Sequence, residues 1–262
     1  MDILVPCIAV GAAAGFLGGL VGIGGGLVVV PMLALVFAAK GLPAAVVMPL
    51  ALGTSLASIV FTSLSSVCAH HARGAVDWTL VRRLTPGLVF GALGGAAAAS
   101  CVPGAVLRVA FVGFAVIAAT RMLFDRGIAP QRPLPGPAGM FVAGGLIAGV
   151  ASVVGVGGAS LAIPYFTARS VPVRRAIGSA SAVAIPIGAA AVVGYVVAGL
   201  GAATLPRHCA GFVHLPALAA VAGTSVLAAP LGAALSHRLP VESLKKIFAC
   251  LLYVVVGKML MA

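Results

Sequence analysis

Polar residues are sparse along this chain, and they fall between long apolar blocks. Ten such blocks run at about 3–21, 24–38, 44–71, 79–101, 105–124, 139–154, 157–168, 174–199, 212–236 and 241–261. Continuous apolar runs of this length predict helices that face apolar surroundings on all sides. Strands of a membrane barrel would alternate with period two, and these runs do not, so strands are not expected. Two blocks are short: 24–38 has fifteen residues and 157–168 has twelve. A helix needs about 20 residues to cross a hydrocarbon core. Each short block therefore reads as one arm of a hairpin that turns at glycines and dips into the bilayer. Non-helical backbone at that depth is tolerated only when buried in protein or lining a watery cavity.

The two short blocks are copies. GIGGGLVVVP at 22–31 returns as GVGGASLAIP at 155–164, an offset of 133. Gly53-Thr54-Ser55 is echoed by Gly178-Ser179-Ala180-Ser181, and GAVDW at 74–78 by GFVHL at 211–215. The small-residue stretches GALGGAAAA (91–99) and APLGAALSH (229–237) also correspond. The segment DRGIAPQRPLPGP at 125–137 is rich in Pro, Gly and Arg and marks the boundary. The predicted organisation is a first transmembrane repeat over 1–124, a linker over 125–138 and a second repeat over 139–262. Each half holds five segments. The expected fold is an all-α multi-pass membrane protein with Gly-rich broken or re-entrant helices, one set per repeat. A Gly-broken hydrophobic segment recurring in both halves is the best sequence pointer to a secondary transporter's binding site.

Composition strengthens the membrane reading. The 262 residues are 62% hydrophobic and 8% charged, against about 25% charged in soluble domains. Four acids, Asp2, Asp77, Asp125 and Glu242, and sixteen basic residues cannot cover a globule of this size, so lipid must be the solvent for most of the surface. The net charge of +12 does not indicate a nucleic-acid partner, because the basic residues lie between apolar runs and no basic aromatic platform accompanies them. Their placement speaks to topology. With each short segment counted as a separate arm, twelve basic residues fall on one side, including Arg73, Arg82, Arg83, Arg169, Arg174 and Arg175. Four fall on the other: Lys40, Arg108, Arg207 and Lys258. With each Gly-broken pair as one crossing, the split is eight to eight. The positive-inside rule favours the first arrangement, with both termini outside and the repeats inverted.

Candidate chemistry is neutral. Gly22, Gly24, Gly25 and Gly26 would leave free amides at a helix start, as would Gly157 and Gly158, and such ends attract anions. Close helix packing is the alternative, strongest for Gly11, Gly15, Gly19 and Gly22 at spacing four. Thr54, Ser55, Ser58, Thr62, Ser65 and Ser66 add a hydroxyl stripe, with Ser179 and Ser181 in the matching place. Such hydroxyls line a path or bond a neighbouring helix. No Asp, Glu, Lys or Arg lies mid-segment, which argues against a carboxylate ion relay. His70, His71, His208, His214 and His237 sit near segment ends and read as interfacial, and Trp78 as an interface anchor. Five cysteines are scattered without a CxxC pair, so no metal or cofactor is expected.

Taken together, GFLGGLVGIGGGLVVVP (15–31), ALGTSLASIVFTSL (51–64), HARGAVDW (71–78), VPVRRAIGSASAV (171–183) and APLGAALSHRLP (229–240) resemble the sulfite exporter TauE/SafE family of membrane permeases. The resemblance runs from Gly15 to about Met259. It implies movement of sulfite, sulfoacetate or related organosulfur anions across the bacterial cell membrane, with the lipid bilayer and a small anion as partners. It places the site at 22–31, 53–55, 155–164 and 178–181. The candidate substrate-binding residues are Gly24, Gly25, Gly26, Thr54, Ser55, Gly157, Gly158, Ser160, Ser179 and Ser181. In the second copy Ala159 and Ser160 replace Gly26 and Leu27, so the two tips need not be equal. Thr54→Val is expected to weaken binding with little effect on folding. A permease for another small solute is the competing reading. An intramembrane enzyme would need a buried histidine or carboxylate to activate a serine, and no catalytic residue is expected. A scaffold would carry a large extramembrane loop. Homo-oligomerisation is left open.

Overall fold

The computed structural model describes residues 3–21, 25–124, 133–202, 205–236 and 241–261. Nearly all of them are helical. The first five helices are α1 (Leu4–Val21), α2 (Gly26–Ala39), α3 (Ala44–His71), α4 (Trp78–Ser100) and α5 (Gly104–Phe124). The second five are α6 (Pro137–Val154), α7 (Ala159–Ala168), α8 (Val173–Gly199), α9 (Leu215–Ser236) and α10 (Val241–Met261). Helices α3, α5, α6 and α8 are long and apolar enough to cross a membrane, and several shorter apolar helices accompany them. The protein is a multi-pass membrane protein.

The helix ends follow local chemistry. Pro43 and Pro172 precede α3 and α8 in extended geometry, as a residue that cannot donate to a preceding turn should. Asp77 caps α4: its Oδ1 accepts from the amides of Thr79 and Leu80, each at 3.1 Å. Gly155 ends α6 at φ +74° and Gly158 starts α7 at φ +74°. A side chain is strained at that φ, so only glycine closes the α6–α7 break cheaply. Helix α7 has 10 residues and α2 has 14, about 15 Å and 21 Å long at the usual rise. Both fall short of a hydrocarbon core of roughly 30 Å.

One expected helical stretch begins otherwise. The block at 212–236 does not open as a helix: Cys209–Ala210 (β1) and Val213–His214 (β2) form a short antiparallel ladder, pairing Cys209 with His214 and Ala210 with Val213. Gly211 turns it at φ +55°, and α9 starts only at Leu215. A two-residue ladder has no period for a hydropathy pattern to show.

Packing between helices is backbone-close. Helix α1 lies along α9 and α4 along α6. A Cβ built on Gly15 would come within 2.5 Å of Ser225 Cα, and one on Gly91 within 2.7 Å of Gly145 Cα. Lipid tails are as apolar as leucine, so such contacts gain from close approach rather than from hydrophobic burial. Exchange of α1–α5 for α6–α10 turns the α1–α9 contact into α6–α4, α3–α9 into α8–α4, and α2–α3 into α7–α8. The α3–α8 and α5–α10 contacts turn into themselves. Helix α3 lies at the centre, with Leu50, Leu52 and Leu56 fully buried.

Candidate site at the broken helices

The two glycine-rich starts meet. A Cβ on Gly26, the first residue of α2, would lie 3.2 Å from the Gly155 carbonyl oxygen, 3.2 Å from Val156 Cα and 2.8 Å from Ile59 Cδ1. Gly157 presses on the same residue, its virtual Cβ 2.7 Å from Ile59 Cγ2. On the other side a Cβ on Gly158 would lie 2.5 Å from Ile187 Cδ1 of α8. A Cβ on Gly25 would lie 2.9 Å from the Ala14 carbonyl oxygen of α1. Every one of these glycines therefore fills a place where a side chain would collide. Gly24 and Gly22 lie outside the described residues.

Ser55 ties α3 to this junction, donating to the Gly155 carbonyl at 3.0 Å. Ser58 donates to Ser55 O at 2.7 Å, and Thr62 to the carbonyls of Ser58 and Ile59. This part of the stripe is thus engaged by its own helix and by the α6–α7 break. Ser66 donates to Ser181 Oγ at 3.1 Å, and Ser181 donates to Ile177 O.

Thr54 and Ser179 are placed elsewhere, by one rule. The His214 amide donates to Thr54 Oγ1 at 3.0 Å, and the Asp77 amide donates to Ser179 Oγ at 3.0 Å. Each half thus lends a helix hydroxyl to the other half's connector. Gly53 and Gly178, one residue before each hydroxyl, let the backbone of Phe212 and Ala75 approach. Both hydroxyls are fully buried.

Among the described residues, two buried hydroxyls have no partner. Ser160 Oγ, in the first turn of α7, and Ser152 Oγ, in the last turns of α6, are buried without a hydrogen bond. Ser152 is fully buried, and its carbonyl accepts from the Tyr195 hydroxyl at 3.0 Å. Pro164 has no N–H, so the Ser160 carbonyl lacks its usual donor four residues on. The equivalent of Ser160 in the first half is Leu27, wholly buried and apolar. The tips are therefore unequal, and the polar one is α7. The first amides of a helix have no partner within it, so the α7 start offers N–H groups and one hydroxyl beside a dry wall of Ile59, Ala184 and Ile187. A separate pocket of about 60 Å³, lined by Asp77, Thr79, Arg83 and Pro135 among others, lies at the start of α4.

His214 is buried inside the protein. It is 5% exposed, and its ring centroid lies 5.6 Å from that of Phe37. Sequence reading assigns His214 an interfacial place rather than a contact between the halves, and does not single out Ser152 or Tyr195. The echo of GAVDW in GFVHL was the available signal, since it sets His214 on the capping residue Asp77. Trp78, by contrast, is 40% exposed and donates its Nε1–H to His71 Nδ1 at 3.2 Å, a half-wet geometry suited to a membrane interface.

The chain matches the sulfite exporter TauE/SafE family over residues 7–259. A protein of Haemophilus influenzae named "Probable membrane transporter protein" is 34% identical over 254 residues, 96% of each chain. One of the same description from Methanocaldococcus jannaschii is 32% identical over 180 residues, covering 67% of this chain and 66% of its own. The Bacillus subtilis protein YunE, again named a probable membrane transporter, is 40% identical over 90 residues, 34% of this chain and 30% of its own. No solved structure matches the chain at a significant level. With the match spanning nearly every helix and the relatives named as transporters, this chain belongs to the TauE/SafE family of membrane transporters.

Proposed function

We propose that this protein exports small sulfur-containing anions, such as sulfite or organosulfonates, across a bacterial inner membrane. The substrate is held at the junction of the two Gly-broken helices. The observation that carries the reading is the unpartnered, buried Ser160 hydroxyl at the start of α7, where the first half has leucine. A buried hydroxyl without a partner costs about 1–3 kcal/mol, and such a cost is retained where a ligand recovers it. Free helix amides beside it favour negative charge. Gly25 and Gly26 then serve by letting backbone approach backbone, and Gly157 and Gly158 by leaving room for the side chains of Ile59 and Ile187. Ser55 positions the junction through Gly155.

The interchange of helix contacts between the halves supports a duplicated architecture, and the twelve-to-four charge split supports its inverted form with both termini outside. Alternating access would then rock one half against the other about the α2–α7 junction. The test is flux of sulfite, sulfate, thiosulfate and taurine in proteoliposomes, with Ser160→Ala as the site variant. Flux of a sulfur anion that falls in the variant supports the reading. Transport of none of the four, with a carboxylate or metal ion carried instead, overturns it.

A further inference from the structure

His214 contacts the first half at two points and caps its own half's α9 at a third. Its amide bonds Thr54 of α3. Its Nδ1 accepts from the Ala217 amide at 3.1 Å and so caps α9. Its ring packs on Phe37 of α2. In the other half Asp77 does the first two jobs, bonding Ser179 and capping α4. The two connectors differ in one respect that matters. A carboxylate remains an acceptor at any physiological pH, whereas an imidazole Nδ1 is an acceptor only while it carries no proton.

We propose that Nδ1 of His214 is a proton-binding site whose occupancy uncaps α9 and unlatches the 209–214 hairpin from α3. A proton on Nδ1 removes the acceptor that the Ala217 N–H uses and turns it into a second donor. It also sets a positive charge at a helix start, where the dipole opposes it. The ionisable surroundings are few. Residues 26–39 of α2, 44–60 of α3 and 215–236 of α9 contain none, and Lys40 follows α2. Helix α8 contributes Tyr195, whose hydroxyl is engaged with Ser152 and whose carbonyl accepts from the Phe212 amide at 3.1 Å. The hairpin itself contributes His208 and Cys209, the latter directly across the ladder, with Arg207 before them. No carboxylate among the described residues packs on the ring to stabilise an imidazolium. Burial first, and His208 second, hold the His214 pKa below the ordinary imidazole range. The neutral latch is therefore the resting form, and acidification opens it.

The test is hydrogen–deuterium exchange of the 209–220 segment in the intact protein, corrected for intrinsic rates, between about pH 8 and about pH 5. Wild type should exchange about ten-fold faster at the acid end, the equivalent of one lost cap. His214→Asn keeps an acceptor at the cap and cannot titrate in this range, so its exchange should be flat. Should the Asn variant fail to fold, His214→Asp, which copies Asp77, takes its place. No acid-induced rise in wild type, or the same rise in either variant, overturns the proposal. The readout needs no anion flux, so it stands or falls apart from the substrate reading.

Discussion

Thr54 is asked to accept a hydrogen bond from a buried amide. Thr54→Val should cost about 1–3 kcal/mol of stability, read as a lowered Tm in detergent, while Thr54→Ser should stay near wild type. This replaces the expectation of weakened binding with little effect on folding, because the hydroxyl supports the half-to-half contact through His214. Ser160→Ala should act in the opposite sense. It deletes an unpartnered hydroxyl, so Tm should hold or rise while flux falls. Unchanged flux would remove Ser160 from the site. His214 adds a pH term. Its neutral form is favoured in the fold, so the stability it contributes is present above the ordinary imidazole range. That stability is lost as pH falls through the range toward the lowered pKa. Thermal scans across this window should show an acid-side loss in wild type that His214→Asn lacks.

At the scale of elements, glycines decide which helices touch. Gly87, Gly91 and Gly95 of α4 face the α6 backbone at Phe141, Gly145 and Gly149, whereas Gly94 faces open space. Gly91→Val should abolish the α4–α6 seam and the monodisperse peak in size-exclusion chromatography. Gly94→Val on the same helix should leave that peak intact. The helices themselves were legible, since unbroken apolar runs leave the backbone no partner but itself. The breaks were legible too, because GVGG tolerates positive φ where neighbouring residues do not. Their partners were not. Nothing local distinguishes Gly91 from Gly94, because both lie in the same small-residue run and only the register against α6 separates them. His214 looked interfacial for a related reason: position near a segment end reports depth along a helix, not the hairpin that folds back over it. The hydroxyl stripe of α3 was visible as a stripe, yet its division into self-bonded and cross-bonded members depends on neighbours contributed by the other half.

For the whole molecule, the charge split predicts that the loops around 73–83 and 169–175 face the cytoplasm. Single-cysteine labelling in intact cells checks this, after replacement of the exposed Cys68, Cys101 and Cys250. Reagent confined to the outside should miss both loops and reach a cysteine at 207. The membrane potential then matters to the cargo. One charge moved through 100 mV is worth about 2.3 kcal/mol, roughly fifty-fold in concentration ratio. An interior-negative potential should therefore drive anion exit in proteoliposomes, and reversing its sign should slow it. Flux indifferent to the sign would mean that the potential does not drive it.

The seam between α1 and α9 also sets a clock on synthesis. Ser225 Oγ donates to the Gly11 carbonyl at 2.8 Å, a bond between residues 214 positions apart. At about 5–20 residues per second, α1 waits on the order of 10–40 s after its own synthesis for its partner to be made. During that interval the small-residue face of α1 lies open to any other helix in the membrane. Nascent chains arrested before residue 215 should therefore be bound by membrane chaperones or cleared by membrane proteases. Those arrested after α9 has inserted should escape both.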